Sequence, residues 1–322
     1  MYIYLGQVST NPYPSTQKCY NLLMKIAYIG LGKMGMGQAE RLLEKEHEVV
    51  AWNRSPEKAD QLATRGAIAA HSIAEIFEKF GNERKIVWLM VPWQAVDEMI
   101  AQVAPFLSKG DILIDGGNSP YTETVKRAKK LTRKGIRFMD IGTSGGPGGA
   151  RNGACLMIGG ERSLYDELTP LFVDLSVAQG FAYMGASGAG HFAKMVHNGI
   201  EYGMMQAIGE GFEVLKKSEF NLDLAEVARI YNHGSVIESR LVGWLGQAFA
   251  KNTTDLNGIS GEVSHSGEGE WTVKAARKLG VKTPIIKGSL DFRKKSTGNP
   301  TYTGKVVSAL RNQFGGHDVG EK

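Results

Sequence analysis

Gly30-Leu31-Gly32-Lys33-Met34-Gly35 decides how the chain is read, because of what flanks it. Before it runs KIAYIG (25–30), short and apolar enough for a buried strand, and after it the spacing turns helical. In that setting the first glycine permits a tight turn, the second lets backbone approach a pyrophosphate, and the third lets helix and strand pack closely. The free N–H groups at the start of the helix then favour an anion. A glycine-rich turn without a ligand is the plainer alternative, and the strand and helix on either side weigh against it.

Further along, EVVAW (48–52), KIVWLMV (85–91), DILIDGG (111–117), RFMDIG (137–142) and ACLMIGG (154–160) read as buried strands separated by amphipathic helices. This alternation predicts a parallel sheet of the Rossmann type. Gly142 to Gly149 reads as glycine-rich punctuation, and a helix is expected through about Phe172. EVVAW ends in Asn53-Arg54-Ser55, where an acid for the ribose 2′-hydroxyl is usual. No acid stands there. Arg54 can pair with a 2′-phosphate, so NADP is preferred over NAD; the alternative is an Arg in a solvated loop. Val91, in Val91-Pro92-Trp93, is expected on the cofactor side of the crevice.

Beyond about Gly185 the pattern changes. Gly188 to about Lys217 is one long helical stretch, and 223–231, 236–250 and 270–279 also read as helices, giving an all-α second domain over 186–322 after a Rossmann domain over 24–185. Glycines 199, 203, 209 and 211 each cost a helix about 1 kcal/mol relative to Ala in an exposed interior, so close packing is expected around them. Residues 1–23 carry no sustained period and read as an appended segment, with Met24 as the expected start of translation.

The 322 residues carry a net charge of +5, with basic residues scattered among acidic ones. That excludes a nucleic-acid stripe and fits attraction for a small anion. Two cysteines, Cys19 and Cys155, suit neither a disulfide framework nor a metal site, and no apolar run suits a membrane span. A cytoplasmic protein without a metal is expected.

GHFAKMVHNGIEYGMMQ (190–206) places Lys194, His197, Asn198 and Glu201 at helical spacings on one face, with Tyr202 four residues after Asn198. Polar groups striped along an apolar helix must meet a ligand, a partner helix or solvent. A structural ion pair fits the spacing equally well.

Taken with GLGKMG, IDGGNS (114–119), TSGG (143–146) and RNQFGGH (311–317), this segment resembles the 6-phosphogluconate dehydrogenase family from Met24 onward, in its short form. The resemblance implies that Lys194 is the general base for the substrate's 3-hydroxyl and Glu201 the acid that protonates the decarboxylated product, with Asn198 beside them. It assigns Asn118, also on the cofactor side, with Ser144, Gly145, Gly146, His197 and Asn198 to the hydroxyls and carboxylate. Tyr202, Arg293 and Arg311 are assigned to the phosphate, with Arg311 and His317 reaching across from a second subunit of a homodimer or homotetramer. Arg293 is matched by its spacing from Trp271. In SHSGEGEWT (264–272), Ser266 and Glu268 stand where the long form has a substrate-side lysine and threonine, and Pro147-Gly148 replaces an acidic pair. A β-hydroxyacid dehydrogenase of the 3-hydroxyisobutyrate type, or a non-catalytic sensor of cofactor or sugar phosphate, are the competing readings.

Overall fold

The computed structural model describes residues 22–320, so the reading of the first 23 residues lies almost wholly outside the described residues. Eight strands form one sheet: β1 (Lys25–Ile29), β2 (Glu48–Trp52), β3 (Ile68–Ala69), β4 (Ile86–Leu89), β5 (Ile112–Asp115), β6 (Arg137–Ser144), β7 (Ala154–Gly160) and β8 (Ser176–Gly185). Their order is β3-β2-β1-β4-β5-β6-β7-β8. Neighbours run parallel except β6 and β7, which pair antiparallel. The strand order reverses between β1 and β4, the place where such sheets open a crevice for a dinucleotide.

Seven helices cover this sheet: α1 (Lys33–Glu44), α2 (Glu57–Ala63), α3 (Ile73–Glu78), α4 (Val96–Val103), α5 (Tyr121–Thr132), α6 (Gly146–Asn152) and α7 (Arg162–Leu175). Ile26 and Tyr28 of β1 join a core with α1 and α7, while Ala27 and Ile29 join another with α3, α4 and α5. Burial on both faces explains why these strands read as continuous apolar runs.

Three segments depart from expectation, one of them β3, which at two residues is too short to show as a strand in the sequence. The stretch from Gly142 to Gly149 is not a turn: its first three residues complete β6, and Gly146 opens α6. Strand β8 was not expected at all, because its exposed edge, Gly180 and a left-handed Gln179 leave no clear alternation.

The second half is helical: α8 (Ala189–Lys217), α9 (Leu224–Tyr231), α10 (Arg240–Asn252), α11 (Glu268–Lys278), α12 (Pro284–Ser296) and α13 (Tyr302–Gly315). The last two escaped the sequence reading. Helix α10 starts four residues later than expected, because the Ser239 hydroxyl accepts the Val242 N–H and caps it there. Three of the four questioned glycines of α8 are close-packed. A Cβ at Gly199 would lie 2.6 Å from Thr272, at Gly203 3.3 Å from Ile285 and at Gly209 3.1 Å from the Thr303 carbonyl. Gly211 meets nothing within 4 Å.

The sheet holds α8 by a buried carboxylate. Gly188 offers no side-chain cap, and Asp140 of β6 takes that role: its two oxygens accept the N–H groups of Gly188 at 2.7 Å and His191 at 2.9 Å. Satisfying free N–H groups at a helix start with an acid also suits the helix dipole. Among the described residues, no helix is long and apolar enough to cross a membrane.

Candidate active site

One turn beyond that anchor, α8 delivers Lys194 to the end of β6. The space for it is made by Gly142, where a Cβ would sit 2.3 Å from the Lys194 Cβ. Lys194 is 7% exposed. It faces a cavity of about 750 Å³ lined by Asn118, Ser144, Gly145 and Gly146 from the sheet side and by His197, Asn198, Glu201 and Tyr202 from α8. Arg293, Arg311 and His317 close the far end.

The polar groups are mutually ordered. The His197 Nδ1 lies 3.0 Å from the Asn198 Oδ1, and its Nε2 lies 3.1 Å from the Ser144 Oγ. With that amide orientation the Nδ1 carries the proton and the Nε2 accepts the Ser144 hydroxyl. Lys194 Nζ stands 3.5 Å from the same Nδ1.

Burial sets the charges. It pushes the Lys194 amine down against the upward pull of Glu201 and Glu268, and it pushes the Glu201 carboxyl up against the pull of Lys194. A neutral amine and a protonated acid are thereby favoured seven residues apart on one helix. Burial and the nearby Lys194 also hold His197 below the ordinary imidazole range. Arg293 is 2% exposed, its guanidinium lies 3.4 Å from the centre of the Tyr202 ring, and its Nη2 has no hydrogen-bond partner. Desolvation pushes it down to about 10. A buried cation with an unused donor is costly unless an anion meets it.

The remaining candidates lie beside this cavity, at the glycine loop. Leu31 donates its N–H to the Asn53 Oδ1 at 2.9 Å, and the Asn53 amide donates to the Ser55 carbonyl at 3.0 Å. A Cβ at Gly30 would press within 2.4 Å of the Met90 carbonyl and 3.0 Å of Val91, and one at Gly35 within 2.1 Å of the Gly30 carbonyl. Gly32 differs, since a Cβ there would meet nothing within 4 Å. Protein packing does not require that glycine, whereas a pyrophosphate lying on the start of α1 does, so the residues fit a dinucleotide. Arg54 is exposed at the end of β2 with no carboxylate against it among the described residues.

Residues 25–185 match the NAD binding domain of 6-phosphogluconate dehydrogenase, and residues 190–302 match the C-terminal domain of the same enzyme. The chain belongs to the 6-phosphogluconate dehydrogenase family. It is an NAD(P)-dependent oxidoreductase. A Bacillus subtilis relative, provisionally named a 6-phosphogluconate dehydrogenase, is 48% identical over 93% of this chain and 100% of its own. The NAD(+)-dependent, decarboxylating 6-phosphogluconate dehydrogenase of Haloferax volcanii is 41% identical over 93% of this chain and 99% of its own. The structure of the Plasmodium falciparum 6-phosphogluconate dehydrogenase, described with NADP+ and with 6-phosphogluconate, superposes with a TM-score of 0.75 at 29% identity, covering 86% of this chain and 62% of that one.

Arg311 and His317, which the family resemblance has reaching across from a second subunit, line the same cavity as Lys194 within the single chain. Helix α13 packs on α8 of its own chain, with Thr303 and Val307 against Gly209, and so carries both residues into the same cavity as Lys194. Arg311 is 5% exposed and donates to the Ser264 hydroxyl at 2.8 Å. Lys33 of the glycine loop fastens this tail by donating to the Gly316 carbonyl at 2.5 Å. Glu268, which the sequence reading registered only as a departure from the family, is also in the cavity and 6% exposed. Trp93 packs edge-on against Trp271 at 5.8 Å, joining the two halves beside it.

Proposed function

We propose that this protein catalyses the oxidative decarboxylation of 6-phospho-D-gluconate to D-ribulose 5-phosphate and carbon dioxide, a cytoplasmic step of the pentose phosphate pathway. Residues 24–185 hold the cofactor and 186–322 supply most of the substrate contacts. The observation that carries this reading is the cavity in which buried Lys194 and half-buried Glu201 face two buried arginines, one with an unused donor.

The residues of the loop between β1 and α1, with Asn53, Arg54, Ser55 and Val91, would hold the dinucleotide. When bound, its nicotinamide supplies the hydride acceptor. Lys194, as a neutral amine, takes the proton of the 3-hydroxyl as C3 becomes a ketone. The ketone now lies β to the carboxylate, and protonated Lys194 returns its proton to the ketone oxygen as the bond to carbon dioxide breaks, leaving an enediol. Glu201 then gives a proton to the carbon that lost the carboxylate, while the neighbouring enol O–H returns its proton to the neutral Lys194 amine and becomes the ketone of ribulose 5-phosphate. Ser144, His197 and Asn198 orient the hydroxyls and carboxylate. Tyr202, Arg293, Arg311 and His317 meet the phosphate.

Arg54 without a partner supports NADP as the preferred cofactor, and the exposed Val214, Phe220, Val236 and Ile285 of the helical half support a homodimer or homotetramer. The test is cofactor reduction with 6-phosphogluconate in metal-free buffer, run with NADP and with NAD while trapping carbon dioxide. Equal amounts of reduced cofactor and carbon dioxide are expected, with NADP the better acceptor. Turnover of 3-hydroxyisobutyrate in place of 6-phosphogluconate would refute the reading.

A further inference from the structure

Glu268 is the first residue of α11 and stands in the wall of the cavity. The Ser266 hydroxyl donates to its Oε2 at 2.6 Å, and its other oxygen, Oε1, accepts from the Asn118 amide at 3.2 Å. Asn118 belongs to the loop between β5 and α5, so this second bond joins the cofactor half to the helical half across the mouth of the site. A carboxylate can only accept hydrogen bonds. Of the two ends of the Asn118 amide, therefore, only the nitrogen can face it, and the carbonyl oxygen is left to accept a donor elsewhere.

We propose that Glu268 is a positioning residue: it holds the Asn118 amide in one orientation, so that the Asn118 carbonyl oxygen is presented to a hydroxyl of the sugar acid. This role rests on the function proposed above and adds a residue to it.

The same carboxylate acts on the proton-transfer pair. Glu268 faces Lys194, Glu201 and Tyr202 of α8, Arg293 of α12, Arg311 of α13 and His317 beyond it. Its negative charge pulls both Lys194 and Glu201 upward. Removing the charge while keeping the shape lets both fall, so both limbs of the pH profile move to lower pH.

The experiment compares kcat/KM for 6-phosphogluconate in the unmutated protein, Glu268→Gln, Asn118→Ala and the double variant, across about pH 6–10. Glu268→Gln is expected to lose about 10- to 100-fold, as a mispositioned contact does. In the Asn118→Ala background it should cost no more than about 2-fold, because the two residues act as one unit. Both limbs should shift downward in Glu268→Gln. Glu268→Asp keeps the charge and shortens the reach, so kcat/KM should fall with the limbs in place; this variant decides the matter if the Gln variant does not fold. Independent, multiplying losses, or wild-type kcat/KM in Glu268→Asp, overturn the proposal while leaving the function intact. An unmutated protein inert on 6-phosphogluconate overturns both.

Discussion

Gly142→Ala adds one methyl group and should disable the enzyme without removing any polar group. The new Cβ would lie 2.3 Å from the Lys194 Cβ, 2.9 Å from its Cγ and 3.1 Å from the Gly190 carbonyl oxygen. Carbon atoms settle at about 3.5–4.0 Å, so the closest contact is short by about 1.2 Å. The lysine Cβ is fixed to the backbone and cannot swing aside, and α8 is itself tied to β6 through Asp140. Relief must come from a shift of helix against sheet, for which overpacking costs about 1–3 kcal/mol. A displacement of about 1 Å at a reacting group lowers turnover by roughly 100-fold. Steady-state kinetics should therefore show kcat falling by about that factor, with cofactor binding by fluorescence titration unchanged, since the glycine loop lies on another strand. Gly211→Ala, on the same helix with open space around it, should instead stabilise by up to about 1 kcal/mol and leave kcat alone. A Gly142→Ala enzyme with wild-type kcat would refute the steric account of how Lys194 is placed.

Three other outcomes are expected. Burial holds Lys194 below its ordinary range, so the folded protein binds fewer protons than the unfolded chain between the two values, and its stability rises with pH there. Lys194→Met should thus raise the melting temperature near neutral pH, with the gain shrinking as pH rises from the lowered folded value and gone by about 10.4, where the unfolded lysine also loses its proton; a gain that is constant with pH, by calorimetry, would contradict this. Glu201→Gln should lower kcat by about 10²–10⁴-fold, and in deuterium oxide the product should lose stereospecific labelling at C1, read by NMR. Arg311→Ala should lower kcat/KM by about 10- to 150-fold, corresponding to about 1.5–3 kcal/mol for a charged hydrogen bond, through KM. Mixing refolded Arg311→Ala and Lys194→Met chains should restore no activity if each site is built as in the single chain, where both residues line one cavity; restored turnover would show a site shared between subunits.

The cofactor half was legible because its signals are local. A five-residue apolar strand, three spaced glycines and the following helix are contiguous, and each residue's reason can be given from its neighbours. The stripe on α8 was legible for the same cause, since helical spacing alone aligns Lys194, His197, Asn198 and Glu201. What escaped depends on tertiary neighbours. Nothing within TSGGPGG separates a turn from the start of a helix, and the outcome depends on β7 returning antiparallel beside β6. The placement of Arg311 depends on which α8 its helix packs against, a choice no local pattern encodes. Glu268, between two glycines and near Glu270, looks like surface charge until Asn118 arrives from 150 residues away.

Asp140 divides the labour of this molecule. Because one carboxylate of the sheet seats the start of α8, the proton-accepting lysine keeps its registration with the nicotinamide side whatever happens at the far end of the cavity. The residues that would grip the distal anion ride on α12, α13 and the tail, which have no part in that seating. Selectivity can therefore be rewritten at Arg293, Arg311 and His317 while the bond-breaking apparatus stays as built, and an engineer seeking oxidation of an unphosphorylated acid should leave Asp140 and Gly142 alone and begin at the tail.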